Sequence, residues 1–304
     1  MKGCSPGAIA DAYLAACRAE LQALKPGNVH VFADGHRMTV RDFEVSAEVS
    51  APWLAAPGAR VGTRVRAAVE ATVAAVGSNT NLGIILLCAP LAAAAEAGGD
   101  LRRALAMVLE TLDRQDAADV FAAIRLANPA GLGRAERFDV ADEPAVNLRA
   151  AMAAAADRDR IARAYASGFE DLFAVGLPAL DAAHARGLPE GWPASAVYLA
   201  YLARFPDTHI ARKHGAARAE LVRAEAEELL RELDLASARV ERLLDFDAAL
   251  KAQGLNPGTS ADFTVATLFA HAGSAVAGSP CRAHGVALRF RALSGQPVRR
   301  RRML

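Results

Sequence analysis

Leu82-Gly-Ile-Ile-Leu-Leu-Cys-Ala-Pro-Leu-Ala-Ala-Ala-Ala95 is the most apolar run in the chain and carries no charge. A helix that is hydrophobic on every side is either buried in a large core or set in a membrane. Crossing a bilayer takes about 20 apolar residues, and this run is shorter. It therefore reads as a buried helix at the centre of a helical core. A second apolar run, at 263–272, has the same character. Two such helices need a surround of amphipathic ones.

The rest of the chain supplies that surround. Hydrophobic residues make up 53% of the 304, but aromatics only 6%, and alanine carries much of the total. Alanine is the best helix former, whereas strands prefer β-branched and aromatic side chains. Hydrophobic spacing predicts helices near 6–24, 39–54, 62–76, 82–97, 100–113 and 115–127. It predicts a long helix or a pair at 145–174, then helices near 177–186, 194–204, 208–233, 236–252 and 260–276. In the first, Ala12, Leu14, Cys17, Leu21 and Leu24 line one side; in 208–233, Leu221, Ala224, Glu228 and Arg231 set the period. Thr39 with Asp42 reads as a capped helix start. The segment 128–144, rich in Pro, Gly and charge, reads as the longest loop. Strand-like alternation is weak everywhere, the best case being Val286 to Phe290. The expected fold is all-α: one compact multi-helix bundle with a central apolar helix over residues 1–280, then a C-terminal tail at 281–304.

Net charge is +1, so nothing pulls the chain toward nucleic acid or a membrane surface. The basic run Arg299 to Arg302 reads as a solvated tail. Cys4, Cys17, Cys88 and Cys281 are scattered without a C-x-x-C pair, which argues against a zinc ribbon or a disulfide scaffold. The N-terminus has only Lys2 before a helical pattern that soon includes Asp11, unlike a signal peptide. A reducing cytoplasmic setting is expected.

Polar islands interrupt the helices in four places. Leu255-Asn-Pro-Gly-Thr-Ser-Ala-Asp262 is a turn followed by a natural cap at Thr259 or Ser260. The free N–H groups of such a helix start suit a phosphate or carboxylate; the plain alternative is a well-capped helix without a ligand. Gly77-Ser-Asn-Thr-Asn-Leu-Gly83 leads straight into the apolar helix. Its Asn79, Thr80 and Asn81 can donate and accept to a ribose or base edge, and it lacks the Walker A pattern. Asp207-Thr-His-Ile-Ala-Arg-Lys-His-Gly215 is the densest chemistry. Asp207 is placed to cap a helix, His209 and Lys213 share one face of it, and Thr208 and Arg212 another. Arg212, Lys213 and His214 suit a polyphosphate, and Asp207 suits the Mg²⁺ that phosphates carry. The alternative is a solvated basic face with a capping aspartate. In Lys25-Pro-Gly-Asn28, Lys25 ends the first helix, where the dipole alone favours a cation. A loop with His30 and His36 follows.

The islands, in order, resemble the triphosphoribosyl-dephospho-CoA synthase family. The resemblance rests on Lys25-Pro26-Gly27-Asn28-Val29, Asp42-Phe43 with Ser46-Ala47, Asn79-Thr80-Asn81-Leu82-Gly83 with Leu86-Leu87, Asp207-Thr208-His209, Phe246-Asp247 and Leu255 to Asp262. Two stretches depart from the decarboxylase-linked members: Asn81-Leu82 stands where those read His-Lys, and His209, Arg212, Lys213 and His214 stand in a segment that is otherwise less basic. That pattern is similar to archaeal and methylotroph members.

The resemblance implies an all-helical transferase that joins ATP to 3′-dephospho-CoA with release of adenine. It implies ATP and a phosphorylated acceptor as partners, with Mg²⁺ accompanying ATP; a homodimer is compatible with it. By role, it implies Asp207, Asp262 and His209 as catalytic groups, with Asp207 and Asp262 also as metal ligands. Lys25, Arg212, Lys213 and His214 would hold phosphates. Asn28, Asn79, Thr80, Asn81, Asn256, Gly258, Thr259 and Ser260 would hold the remainder of the substrate, with Asp42 and Ser46 lining the same cleft. Two other readings stand beside it. One is a related helical transferase acting in C1-carrier (methanopterin or methanofuran type) cofactor synthesis. The other is a non-catalytic helical nucleotide-binding protein, in which the islands would not converge.

Overall fold

A computed structural model describes residues 3–36, 38–233, 235 and 240–278. The expected tail at 281–304, with Cys281, Val286 to Phe290 and Arg299 to Arg302, lies outside the described residues. Helices account for 71% of the chain, and the described residues contain no strand, so the all-α expectation holds.

Six helices form the first half: α1 (Pro6–Gln22), α2 (Val40–Leu54), α3 (Val61–Val76), α4 (Leu82–Ala97), α5 (Leu101–Thr111) and α6 (Arg114–Ala127). After a loop come α7 (Leu148–Ala155), α8 (Arg160–Ser167), a π turn at Leu172–Gly176 and α9 (Leu177–Ala185). The chain finishes with α10 (Trp192–Arg204), α11 (Thr208–His214), α12 (Ala216–Glu232), α13 (Val240–Ala252) and α14 (Gly258–Gly278). Side chains cap most starts: Ser5 accepts from the Ala8 amide, Asp100 from Arg103, and Thr39 with Asp42 forms a complete capping box.

The opening segment is the centre of the molecule. In α4, Ile85, Leu87, Cys88, Ala89 and Ala92 are sealed from solvent. α4 packs against α3, α5 and α14, and α14, the second apolar run, packs in turn on α1 and α10. Among the described residues no single helix is long and apolar enough to cross a membrane. One arginine is drawn into this core. Arg64, 1% exposed, donates to the carbonyls of Leu54 and Ala59 and pairs with Glu96, which ties the α2–α3 corner to the end of α4. A second apolar cluster is built by Leu199, Leu202, Ile210, Val222 and Leu250 from α10 to α13.

One expectation needs correction. The run 208–233 is not one helix: Gly215, at φ +90°, breaks it into α11 and α12. The buried face of α12 is Ala219, Val222, Ala226 and Leu229, while Leu221 is 54% exposed. Leu221, Ala224, Glu228 and Arg231 all lie within α12 and keep its period, but two positions out of step with the buried stripe, so they form the exposed face. Within 145–174 the expectation of a long helix or a pair resolves as the pair, α7 and α8, followed by the π turn.

The α3–α6 crossing generates a test. A Cβ on Gly62 would stand 2.6 Å from Asp116 Cα and 2.8 Å from its carbonyl oxygen. Alanine there gains about 1 kcal/mol of helix propensity, but the clash is with backbone. Gly62→Ala is expected to lose about 1–3 kcal/mol net, read as a lower urea midpoint. A stabilised variant would show that the two helices do not cross this closely.

Candidate active site

Asp207 joins two helix starts. Its Oδ1 accepts from the amides of His209 and Ile210 at 2.9 and 3.2 Å, capping α11. Its Oδ2 accepts from the amide and the hydroxyl of Ser260, both at 2.8 Å, at the start of α14. Thr259 adds a second link: its Oγ1 lies 3.0 Å from the Thr208 hydroxyl and accepts from the His209 amide at 3.1 Å. The His209 ring lies close over Gly258, whose missing side chain leaves the room: a Cβ there would sit 3.0 Å from Nδ1.

These starts open onto a cavity of about 1430 Å³. Its wall includes Asn79, Thr80 and Gly83 before and in α4, His209, Arg212 and Lys213 on α11, and Asn256, Gly258, Thr259 and Asp262 at α14. Asn28 and Glu20 reach it from α1 and its loop. The loop between α6 and α7 closes another side with Arg137 and Phe138.

Asp262 stands in this wall. Its carboxyl is partly buried, faces the cavity and accepts no hydrogen bond from a described residue. Burial, then the charges of Asp207 and Glu20, push its pKa well above the ordinary carboxylate range, with Arg212 opposing. It packs on Gly83 so closely that a Cβ there would lie 2.0 Å from Oδ2. His209 is held neutral: burial, then Lys213 and Arg212, lower its pKa to about 3. Its Nε2 is enclosed without a partner. Arg212 is held in place by Ala130 O at 3.1 Å and Asp159 at 3.6 Å.

Several predicted residues stand elsewhere than expected. Lys25 is fully buried behind the wall, its ammonium spent on Glu20 and on Asn28 Oδ1 at 3.0 Å, so it orients those two rather than meeting phosphate. Asp207 has both oxygens saturated by four donors, which leaves no lone pair for a metal; its role is to position α11 on α14. Ser260 is the other half of that link. Ser46 and Asn81 are buried between α2 and α4, where Asn81 Nδ2 donates to Ser46 O at 3.3 Å. The Ser46 hydroxyl in turn meets Thr80 Oγ1 at 2.5 Å, so this pair supports the cavity wall from behind. Asp42 belongs to the α2 cap, and His214 is exposed outside the cavity. Among the described residues no three His, Cys, Asp or Glu side chains group to hold a metal.

Glu20, His36, Arg137 and Phe138 line the cavity and were missed. Glu20 had a signal: it is the one acid on the buried face Tyr13, Ala16, Cys17, Leu21 of α1. Phe138 had none in the sequence, because only the folded loop turns it inward.

Among the described residues an all-helical frame encloses a cavity with Arg212 and Lys213 along α11 and with Glu20 and Asp262 on its wall. Residues 6–280 match the family described as ATP:dephospho-CoA triphosphoribosyl transferase, CitG. A crystal structure from Archaeoglobus fulgidus, provisionally described as a triphosphoribosyl-dephospho-CoA synthase, is similar at 28% identity and a TM-score of 0.59. That similarity covers 74% of this chain and 95% of the other. No curated protein matches the chain. The chain belongs to the CitG family and is an enzyme of the triphosphoribosyl-dephospho-CoA synthase type.

The state of Asp262 has a consequence for stability. A carboxyl whose pKa is raised by folding lends stability below its ordinary range, and that stability is lost as pH rises through the folded value. Asparagine removes the ionisation. The stability difference between Asp262→Asn and the natural chain should therefore move in the variant's favour as pH rises above about 4, by at most about 1.4 kcal/mol per unit. Thermal melts from pH 4 to 9 measure it, and a difference that is flat with pH would contradict the assignment.

Proposed function

We propose that the chain transfers the triphosphoribosyl group of ATP to a hydroxyl of 3′-dephospho-CoA and releases adenine. The observation that supports this most is the unpartnered Asp262 carboxyl in the same cavity as Arg212 and Lys213. Breaking the bond between ribose C1′ and adenine demands a proton on the leaving base. It also creates oxocarbenium character at C1′, as in glycoside hydrolysis. Asp262, whose surroundings favour its protonated form, gives its proton to the departing adenine. The resulting carboxylate steadies the cation and then takes the proton of the acceptor hydroxyl as the new C1′–O bond forms. The cycle returns Asp262 to its starting state, so no other proton carrier is required. Glu20, held beside Lys25, lines the same cavity, and Arg212 and Lys213 take the triphosphate.

Mg²⁺ belongs to this reading as the companion of ATP. Magnesium with a polyphosphate needs only one or two protein carboxylates, and Asp159, beside Arg212, is the one that would hold it. When bound it supplies charge neutralisation on the phosphates. The convergence of three polar islands on one cavity speaks against a non-catalytic binding protein.

Two experiments test the proposal. Incubation with ATP, Mg²⁺ and dephospho-CoA should release adenine, detected by chromatography, and chelation of Mg²⁺ should stop it. Asp262→Ala should lower the rate by about 10²–10⁴-fold with unchanged helical circular dichroism. ATP binding without adenine release would favour a transferase using another phosphorylated acceptor. Separately, Gly83→Ala should shift the Asp262 carboxyl and cost about 100-fold in kcat while the protein stays folded. Unimpaired turnover in that variant would remove Asp262 from the chemistry.

A further inference from the structure

The cavity is larger than one nucleotide requires: about 1430 Å³, against roughly 300–1,000 Å³ for a single small-ligand pocket. The donor end, at Asp262, Arg212 and Lys213, leaves unassigned the arm formed by α6, α7 and the loop 128–147. That arm is apolar on its helical side, through Phe121, Ile124 and Met152.

The loop over it is pinned rather than loose. Ala130 O accepts from Arg212 Nε at 3.1 Å, Val140 O from Arg125, and Pro144 O from Arg114 Nε at 2.6 Å. Between these anchors Asp139, 7% exposed, accepts from the amides of Ala135 and Ala141 at 2.6 and 2.8 Å. The turn so closed holds Phe138 at φ +52°, in the left-handed region that a bulky residue rarely occupies. Its ring lines the cavity, and the Arg137 guanidinium lies 5.2 Å from the ring centroid. Arg158 lines the same arm and acts electrostatically on Asp139. Strain held in place by surrounding bonds is found where a side chain must be presented to a ligand.

We propose that Phe138, Arg137 and Arg158 form the acceptor subsite, taking a nucleotide-like phosphate ester whose base stacks on Phe138 and whose phosphates meet the two arginines. This rests on the transferase reading above, which requires a second phosphorylated substrate beside ATP. An aromatic ring beside guanidinium groups matches such a ligand, because a base offers a π face and a phosphate accepts from the arginine fork. Phe138 and Arg137 stand on the loop between α6 and α7, a different element from the α11 side chains that take the triphosphate, so each set can be substituted without the other.

Calorimetry with the full chain tests this, using dephospho-CoA and ATP as separate probes. Phe138→Ala and Arg137→Ala should each weaken dephospho-CoA binding about 10-fold or more, with ATP affinity within about twofold of the natural chain. Phe138→Tyr should keep dephospho-CoA affinity, which separates loss of stacking from loss of the loop. Unchanged dephospho-CoA affinity in both alanine variants, no binding by the natural chain, or a parallel fall for ATP would overturn the subsite. Tight, Phe138-dependent binding of dephospho-CoA without adenine release would sink the proposed reaction and leave the subsite standing. Adenine release that is indifferent to Phe138 and Arg137 would do the reverse.

Discussion

The carboxylate of Asp207 is the fastener on which the site depends. Four donors converge on its two oxygens, two from the start of α11 and two from Ser260 in the first turn of α14. A buried carboxylate is costly unless it is fully hydrogen-bonded, and here it is. Because both helix starts are fixed to one group, everything that follows them is fixed as well. His209 is seated over Gly258, Thr208 meets Thr259, and Asp262 is turned toward Gly83. Arg212, a turn further along α11, is thereby delivered to the same cavity.

Two other buried carboxyls show how charge is sorted behind this fastener. Glu20 has a cation of its own, since Lys25 is enclosed against it. Asp262 has none in contact, and the nearby acids act against its ionisation. Burying an ion pair costs several kcal/mol per ion before any attraction is counted, so Lys25 and Glu20 gain little stability from their isolation. What they provide is a fixed ion pair at the wall of a cavity. Burial raises the proton affinity of both carboxyls; Lys25, in contact, opposes the rise at Glu20, and the charge of Arg212 opposes it at Asp262.

The fold was legible because its determinants are local. Alanine-rich composition, the uncharged run from Leu82 to Ala95 and the cap at Thr39 each speak for their own segment, and helices formed there. Reading failed where phase or partner depends on distant residues. Leu221, Ala224, Glu228 and Arg231 show the period of α12 but lie on its exposed face, while Val222 packs inward. The site was legible as a set of segments, since the islands at 79–83, 207–213 and 256–262 do meet at the cavity. Individual roles were not. Asp207 looked like a metal ligand because its second partner, Ser260, is 53 positions away. Lys25 looked like a phosphate contact because nothing in Lys25-Pro-Gly-Asn28 reports that α1 will bury it.

The contact between Gly83 and Asp262 is the clearest sign that the cavity serves chemistry rather than packing. Glycine near the start of the most buried helix gives up about 1 kcal/mol of helix propensity relative to alanine. A carboxyl left without a hydrogen-bond donor adds its own cost. The two are matched to each other, since a Cβ at 83 would stand 2.0 Å from Asp262 Oδ2. Departures from local preference that fit together in this way are expected at functional sites. An arrangement that lowers stability twice leaves one acid free and facing the cavity, where the proposed transfer would use its proton.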